Sequence, residues 1–176
     1  MTLTVGDVAP SVSLPDTDGS SWTIPDGDQT AATVVAFTCN HCPYAIAWHE
    51  RILDAARDYA GRGVRVLLIN SNAADRFPRD SYQAMRERVA RERWAVPYLW
   101  DETQEAARAF GAKTTPDLFV LDRDGVLRYR GAPDADHHDP SQRAAWLRQA
   151  LDAVLAGGLP DPSETKPVGC SIKWKP

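Results

Sequence analysis

The sequence predicts an α/β fold in which a mixed central sheet is flanked by helices. Two apolar, β-branched runs, residues 33–38 and 64–70, are typical of strands buried on both faces. A segment with helical periodicity separates them, and so short a strand–helix–strand unit implies a right-handed parallel crossover. Two later strands joined by Asp124-Gly125 predict an antiparallel hairpin, which makes the sheet mixed.

The elements around this core follow from turn and helix signals. Residues 6–24 predict an N-terminal β-hairpin extension, since turn residues divide their short apolar pieces. The first core helix begins near Pro43, because proline suits a first helical turn, and it ends at Gly61. After the second buried strand, an inserted, highly charged helix is expected from Ser81 to about Arg93.

The C-terminal half completes the sheet and its cover. Residues 96–100 predict a short strand, and Asp101 and Gly111 bound a short helix. The hairpin follows, and then a last amphipathic helix within residues 139–158. We expect one domain over residues 1–158 and an extended tail over 159–176, which docks on the domain through its apolar residues.

Length, composition and charge limit the classes of protein that this chain can belong to. With 176 residues and 43% hydrophobic content, the chain can bury one ordinary core. The net charge is −4 and no Lys/Arg stripe stands out, which argues against a nucleic-acid partner. The start is too polar for a secretory signal, and no apolar run approaches the ~20 residues of a membrane span. We therefore expect a cytoplasmic protein without a membrane partner.

The stretch FTCNHCPY, residues 37–44, carries the chemistry. Cys39 and Cys42 are two of only three cysteines in the chain. In a reducing compartment such a close pair is more typical of catalysis or metal binding than of a structural disulfide. Its position at a strand-to-helix junction matters because a helix N-terminus stabilises a thiolate, the reactive form of cysteine.

This setting predicts different chemical roles for the two thiols. Cys39 is expected to be the more exposed nucleophile that forms a mixed disulfide, and Cys42, one helical turn on, resolves it. Asn40, His41 and Pro43 are the expected tuning residues, with His41 adding positive charge when it is protonated.

Two other interpretations of the pair stay open at this point. The cysteines can be small buried hydrophobic residues. They can also ligate a metal, either as zinc ligands with Cys170 and one histidine, or as copper ligands with His137 or His138. We assign no metal and no organic cofactor, because electrons can travel in the dithiol itself.

Several motifs together resemble a known family. The chain is similar to the thioredoxin-fold superfamily and, within it, to peroxiredoxin-like proteins of the AhpC/TSA type. The resemblance rests on GDVAPSVSLPDTDG near the start, CNHCPY, NSN after the second strand, PYLWDETQEAARAFGA, TPD and the terminal GCSIKW. It implies a thioredoxin-like fold in which Pro116 is cis and faces the active-site cysteines. Ala36 departs from typical peroxiredoxins, which carry a peroxide-orienting threonine at that position.

The resemblance also implies a substrate groove and a function. Thr115 and Pro116 would let a substrate strand pair beside the dithiol. The expected activity is thiol–disulfide exchange with protein or small-molecule disulfides, supplied with electrons by a reductant protein. The alternatives are a thiol peroxidase with antioxidant function and, in another class, a metal-binding or redox-sensing module. Cys170 is either an accessory thiol or an inert anchor, and pairing into a homodimer stays open.

Three polar features receive simpler predictions. His49 is expected on the surface of the first core helix, and the acidic loop 134–139 is expected to be solvated. Arg128 and Arg130 alternate with Tyr129 along a strand and are expected to point outward.

Overall fold

A computed structural model describes residues 2–27 and 29–176. The strands are β1 Val12–Pro15, β2 Ser21–Ile24, β3 Ala32–Thr38, β4 Val64–Asn70, β5 Tyr98–Trp100, β6 Thr114–Thr115, β7 Asp117–Asp122, β8 Leu127–Gly131 and β9 Cys170–Ser171. The α-helices are α1 Pro43–Ala60, α2 Tyr82–Glu92, α3 Glu105–Phe110 and α4 Ala145–Leu155.

The central sheet has the order β5-β4-β3-β7-β8. β3 runs parallel to β4 and β4 parallel to β5, whereas β7 is antiparallel to both β3 and β8. β1 and β2, which precede β3 in the chain, form a separate antiparallel hairpin. The predicted mixed sheet, the N-terminal hairpin extension and the inserted helix, which is α2, are therefore confirmed.

Alternation along β3 divides the apolar interior into two cores. Val34 and Ala36 face a core built with α1 and α4, whose largest fully buried side chain is Trp48. Val35 and Phe37 face the opposite core, which contains α3 and also Ile172 from the C-terminal tail. Helices thus cover both faces, and the carboxyl end of β3 carries the chain directly into Cys39.

Two helix starts differ in detail from the prediction. α3 begins at Glu105, but Asp101 still caps it, because its carboxylate accepts hydrogen bonds from the backbone N–H groups of Ala106 and Ala107 at 3.2 and 2.9 Å. α4 begins only at Ala145. A 3₁₀ turn over Pro140–Gln142 precedes it, and left-handed residues separate the turn from the helix.

The predictions for His49 and Arg130 are wrong, since both side chains are buried. His49 packs against Trp94 with 4.2 Å between ring centroids. Arg130 donates to the carbonyl oxygen of Leu3 at 3.0 Å. These partners are distant in sequence, so strand or helix alternation alone places the side chains on the wrong side.

The acidic loop 134–139 is only partly solvated, because Asp134 is buried. Its carboxylate accepts two hydrogen bonds from the guanidinium of Arg51, at 3.0 and 2.9 Å, and one from the indole of Trp48 at 2.8 Å. This pair ties the loop before α4 to the middle of α1.

No helix among residues 2–27 and 29–176 is long and apolar enough to cross a lipid bilayer.

Candidate functional site

The end of β3 and the start of α1 bring the two thiols together. Cys39 directly follows β3, Cys42 is the N-cap residue of α1, and Pro43 is the first helical residue, as the sequence predicts. Both cysteines are buried, with 1% and 0% of their surface exposed. The expected exposure of Cys39 is therefore wrong: Thr115 and the tail residue Cys170 pack against the pair.

The two thiols share a hydrogen bond, and this bond pulls their pKa values apart. The bond from Cys39 is the main reason that the pKa of Cys42 falls to about 4, against the opposing effect of burial. Further donors to Cys42 are the Cys170 thiol, the backbone N–H of Ala45 in the first turn of α1 and the Thr115 hydroxyl. The same Cys39–Cys42 bond, together with burial and the charge of Asp80, raises the pKa of Cys39. One proton is thus held between the sulfurs, with the negative charge favoured on Cys42.

A fully buried carboxylate, Asp80, fixes the segment between the cysteines. It accepts hydrogen bonds from the backbone N–H of Asn40 at 2.7 Å and from the side chain of Asn72 at 2.8 Å. Its second oxygen lies 2.5 Å from Nδ1 of His41, a contact that is an ion pair when the imidazole is protonated. Sequence reasoning missed Asp80, because it sits 40 residues after Asn40 in a loop that has no motif.

The amide of Asn40 is held from three directions. Its nitrogen donates to the carbonyl oxygen of Arg79 at 2.9 Å. Its oxygen accepts from the guanidinium of Arg88 at 3.1 Å and from the hydroxyl of Tyr98 at 2.9 Å. Arg88 also donates to the carbonyl oxygen of Cys39 at 3.1 Å, so the inserted helix α2 positions the dithiol loop. The sequence indicated α2 but not this role.

Thr115 faces the dithiol from the opposite side. The Thr115–Pro116 bond is cis. The Thr115 hydroxyl lies 3.5 Å from Sγ of Cys39, and its carbonyl oxygen lies 3.2 Å from Sγ of Cys42. The residues predicted from two distant parts of the sequence therefore meet at one site.

Cys170 is the third thiol of the site. It belongs to β9, packs on the cluster of Cys39, Cys42 and Ala45, and forms a hydrogen bond with Cys42. Burial is the main reason that the pKa of Cys170 rises to about 11. Protonated Cys170 is thus a hydrogen-bond donor to the Cys42 sulfur.

One group among the described residues has ligand atoms close enough to hold a metal ion. Sγ of Cys39, an imidazole nitrogen of His41 and a carboxylate oxygen of Asp80 lie within 4.8 Å of one another. This set differs from both metal sets drawn from the sequence. His137 instead packs its ring on Tyr44, 4.3 Å away between centroids.

Comparison with models of known protein families identifies the family of this chain. Residues 5–130 match the model of the AhpC/TSA family, which is well over half of the chain. The chain belongs to the AhpC/TSA family.

Two solved structures are similar to this chain over nearly its whole length. A hypothetical protein from Sinorhizobium meliloti 1021 is 36% identical, with a TM-score of 0.91 over 99% of this chain and 97% of that one. An uncharacterised conserved protein from Geobacillus kaustophilus is 39% identical, with a TM-score of 0.89 over 99% and 94% of the two chains.

A more distant structure shows the fold. A candidate thiol:disulfide interchange protein, DsbE, from Chlorobium tepidum is 21% identical, with a TM-score of 0.71 over 88% of this chain and 99% of that one. The thioredoxin-like fold expected for an AhpC/TSA protein is thereby confirmed. A search of curated proteins found no match.

Proposed function

We propose that this AhpC/TSA protein is a thiol–disulfide oxidoreductase that works through Cys39 and Cys42. The observation that carries the proposal is the pair of buried thiols at the junction of β3 and α1, with Cys42 at the N-cap of the helix and Thr115 lying 3.5 Å from Sγ of Cys39 and 3.2 Å from Sγ of Cys42. Such a pair is already arranged for disulfide formation at a site that stabilises a thiolate. The substrates are protein or small-molecule disulfides, a reductant protein supplies the electrons, and no organic cofactor or metal is required.

The shared proton gives each sulfur a task. Cys39 attacks a substrate disulfide as its proton passes to the Cys42 thiolate, and one substrate thiolate leaves. Cys42 then attacks Cys39 Sγ in the mixed disulfide and releases the second substrate thiol with that proton. The carbonyl oxygen of Thr115, 3.2 Å from Cys42 Sγ, can accept a hydrogen bond from Cys42 while it is protonated.

The tuning residues act by holding this loop. Asn40 is anchored by Asp80 and Arg88, which hold the backbone between the two cysteines in place. His41 places an imidazole nitrogen beside Asp80, whose negative charge faces Cys39. Pro43 starts α1 and aligns its N–H groups with Cys42.

Thr115 and Pro116 form the edge for a substrate strand in this proposal. Thr115 is held within reach of both sulfurs, and β6 already pairs with the tail strand β9, so a substrate strand would take the place of β9 on this edge. A disulfide presented on such a strand would arrive directly over the dithiol.

Peroxide reduction is the second candidate, because the chain belongs to the AhpC/TSA family. In that reaction Cys39 becomes a sulfenic acid and Cys42 resolves it to a disulfide. Two features favour disulfide exchange instead. Ala36 has no hydroxyl that could bind a peroxide. The guanidinium of Arg88 donates its hydrogen bond to the backbone carbonyl oxygen of Cys39 and not to the sulfur that would react with a peroxide.

Single serine variants test the assignment. Cys39→Ser should turn over a small disulfide substrate far more slowly than wild type, because only Cys42 is left to attack it, whereas Cys42→Ser should accumulate a mixed disulfide on Cys39 that mass spectrometry detects. Asp54→Asn, on the exposed face of α1, is the control and should turn over normally. Normal turnover by Cys42→Ser would refute the division of roles, and normal turnover by both cysteine variants would refute the function.

A further inference from the structure

The C-terminal tail occupies the strand edge that the proposed function assigns to substrate. β9 pairs antiparallel with β6, and Cys170 lies opposite Thr115 in the register. The backbone N–H of Ile172 adds a hydrogen bond to the carbonyl oxygen of Lys113 at 3.0 Å. The chain therefore supplies its own strand beside the dithiol, with a cysteine at the position nearest to it.

Close packing and hydrogen bonds fix the position of this tail strand. Gly169 approaches β6 so closely that a Cβ there would lie 2.2 Å from the carbonyl oxygen of Thr115, so only glycine fits. Ile172 is buried in the second core. The backbone of Lys173 is held at both ends, with its N–H donating to Asn72 at 2.9 Å and its carbonyl oxygen accepting from Gln104 at 2.9 Å.

The tail thus holds its thiol in contact with a reacting sulfur. Cys170 packs on the Cys39–Cys42 cluster and forms a hydrogen bond with Cys42. Cys39 and Cys42 are fully buried, whereas Cys170 is partly exposed. A bulky reductant protein can therefore reach the sulfur of Cys170 more easily than the two sulfurs beneath it.

We propose that Cys170 is a third catalytic thiol, which exchanges with the Cys39–Cys42 disulfide to form a Cys42–Cys170 disulfide. This inference rests on the proposed function, which supplies the first disulfide. The sulfur of Cys170 attacks Sγ of Cys42, the Cys39–Cys42 bond breaks as the Cys42–Cys170 bond forms, and the proton of Cys170 ends on Cys39. No electrons enter or leave in this step.

The exchange moves the oxidised bond from the buried loop to the partly exposed tail. A reductant protein can then attack Sγ of Cys170 and regenerate the three thiols without entering the dithiol pocket. The tail strand in this account is an internal substrate that connects the buried site with the electron donor.

Disulfide mapping of full-length Cys39→Ser tests this pairing. The variant is treated with glutathione disulfide, its remaining thiols are alkylated in acid, and it is digested with trypsin. No Lys or Arg precedes Arg51, and Lys166 is protected by Pro167, so the reporter peptides are 1–51 and 149–173. The major product should be these two peptides linked by a Cys42–Cys170 disulfide, with glutathione displaced.

Cys42→Ser is the matched control, and glutathione should stay on its Cys39. The inference is overturned if Cys39→Ser keeps glutathione on Cys42 with Cys170 alkylated, or if both variants link the peptides equally well. Failure of the proposed function looks different, since neither wild type nor Cys170→Ser would then form the Cys39–Cys42 disulfide. A Cys42–Cys170 disulfide in Cys39→Ser, together with a Cys39–Cys42 disulfide in Cys170→Ser, supports both the proposed function and the exchange with the tail.

Discussion

Asp80 and Asp134 are both buried carboxylates, but they lie in different regions of the molecule. Asp80 contacts the segment between the two cysteines, whereas Asp134 lies in the loop before α4 and contacts α1. Asp134 is matched by the permanent cation of Arg51, with two hydrogen bonds between them. Asp80 is matched by the backbone N–H of Asn40, the side-chain amide of Asn72 and the imidazole of His41. Of the two, only Asp80 lies close enough to Cys39 for its charge to affect the thiol.

The difference shows how a buried charge can be structural in one place and functional in another. The guanidinium of Arg51 carries a permanent charge, and its pair with Asp134 holds the loop before α4. The negative charge of Asp80, by contrast, raises the pKa of Cys39. We expect variants to separate stability from redox chemistry along this line.

Breaking the structural pair should give the largest effect on stability. Arg51→Met leaves Asp134 buried without its cation and should lower the free energy of unfolding by about 3–5 kcal/mol. Urea denaturation of the reduced protein measures the loss. Any molecules that remain folded should keep the wild-type pH profile of thiol alkylation, and a loss below about 1 kcal/mol would contradict the structural role.

Acid should destabilise the protein through His49. Burial, helped by the charge of Arg88, lowers the pKa of His49 to about 4. The unfolded chain, with a histidine pKa near 6.5, then binds more protons, so stability present above that pH is lost as pH falls. Between pH 7 and 5 this contribution should amount to about 2 kcal/mol.

His49→Phe tests this expectation, because phenylalanine cannot bind a proton but keeps an aromatic ring against Trp94. The variant should lose about 2 kcal/mol less than wild type between pH 7 and 5 in parallel urea titrations. Asp117, whose pKa burial raises to about 6, acts with the opposite sign but is common to both proteins. Identical pH dependences would show that His49 does not titrate as its burial requires.

Asp80→Asn should change chemistry more than stability. Its loss of stability should be about 1–2 kcal/mol, since the amide keeps one acceptor oxygen but loses the charge. Because the negative charge of Asp80 raises the pKa of Cys39, the amide should lower that pKa. Iodoacetamide alkylation of Cys39, followed against pH in a Cys170→Ser background, should therefore reach half its maximal rate at a lower pH. An unchanged profile would mean that the carboxylate only holds Asn40.

The smallest effect is expected for an exposed ion pair on α1. Asp54 contacts Arg57 one helical turn away, and both side chains are more than half exposed. Asp54→Asn should change the free energy of unfolding by less than about 0.5 kcal/mol, since solvent screens the pair. A larger loss would undermine the use of burial to rank these carboxylates.

The sequence predicted the sheet well, because its signals are local. The apolar runs at β3 and β4 and the Asp-Gly turn of the hairpin each specify an element within a few residues. The thiol pair was equally visible, since both sulfurs lie in one short motif. The division of the chain at residue 158 stays a prediction.

The remaining features depend on partners that are far away in the chain. Asp80 and Arg88 reach the dithiol loop from 40 or more positions downstream. Arg51 meets Asp134 across 83 positions, so neither residue looks buried in its own segment. The burial of Cys39 depends on Thr115 and on the tail, whose docking could be expected from Ile172 but whose register could not.

The most direct test of the central claim compares two oxidants on one fully reduced sample, followed by tryptophan fluorescence. We expect a low-molecular-weight disulfide to oxidise the Cys39–Cys42 pair with turnover, and hydrogen peroxide to react no faster than with an ordinary thiolate. A peroxide rate far above that of a free thiolate, with slow disulfide exchange, would contradict the account and make this protein a peroxidase despite Ala36.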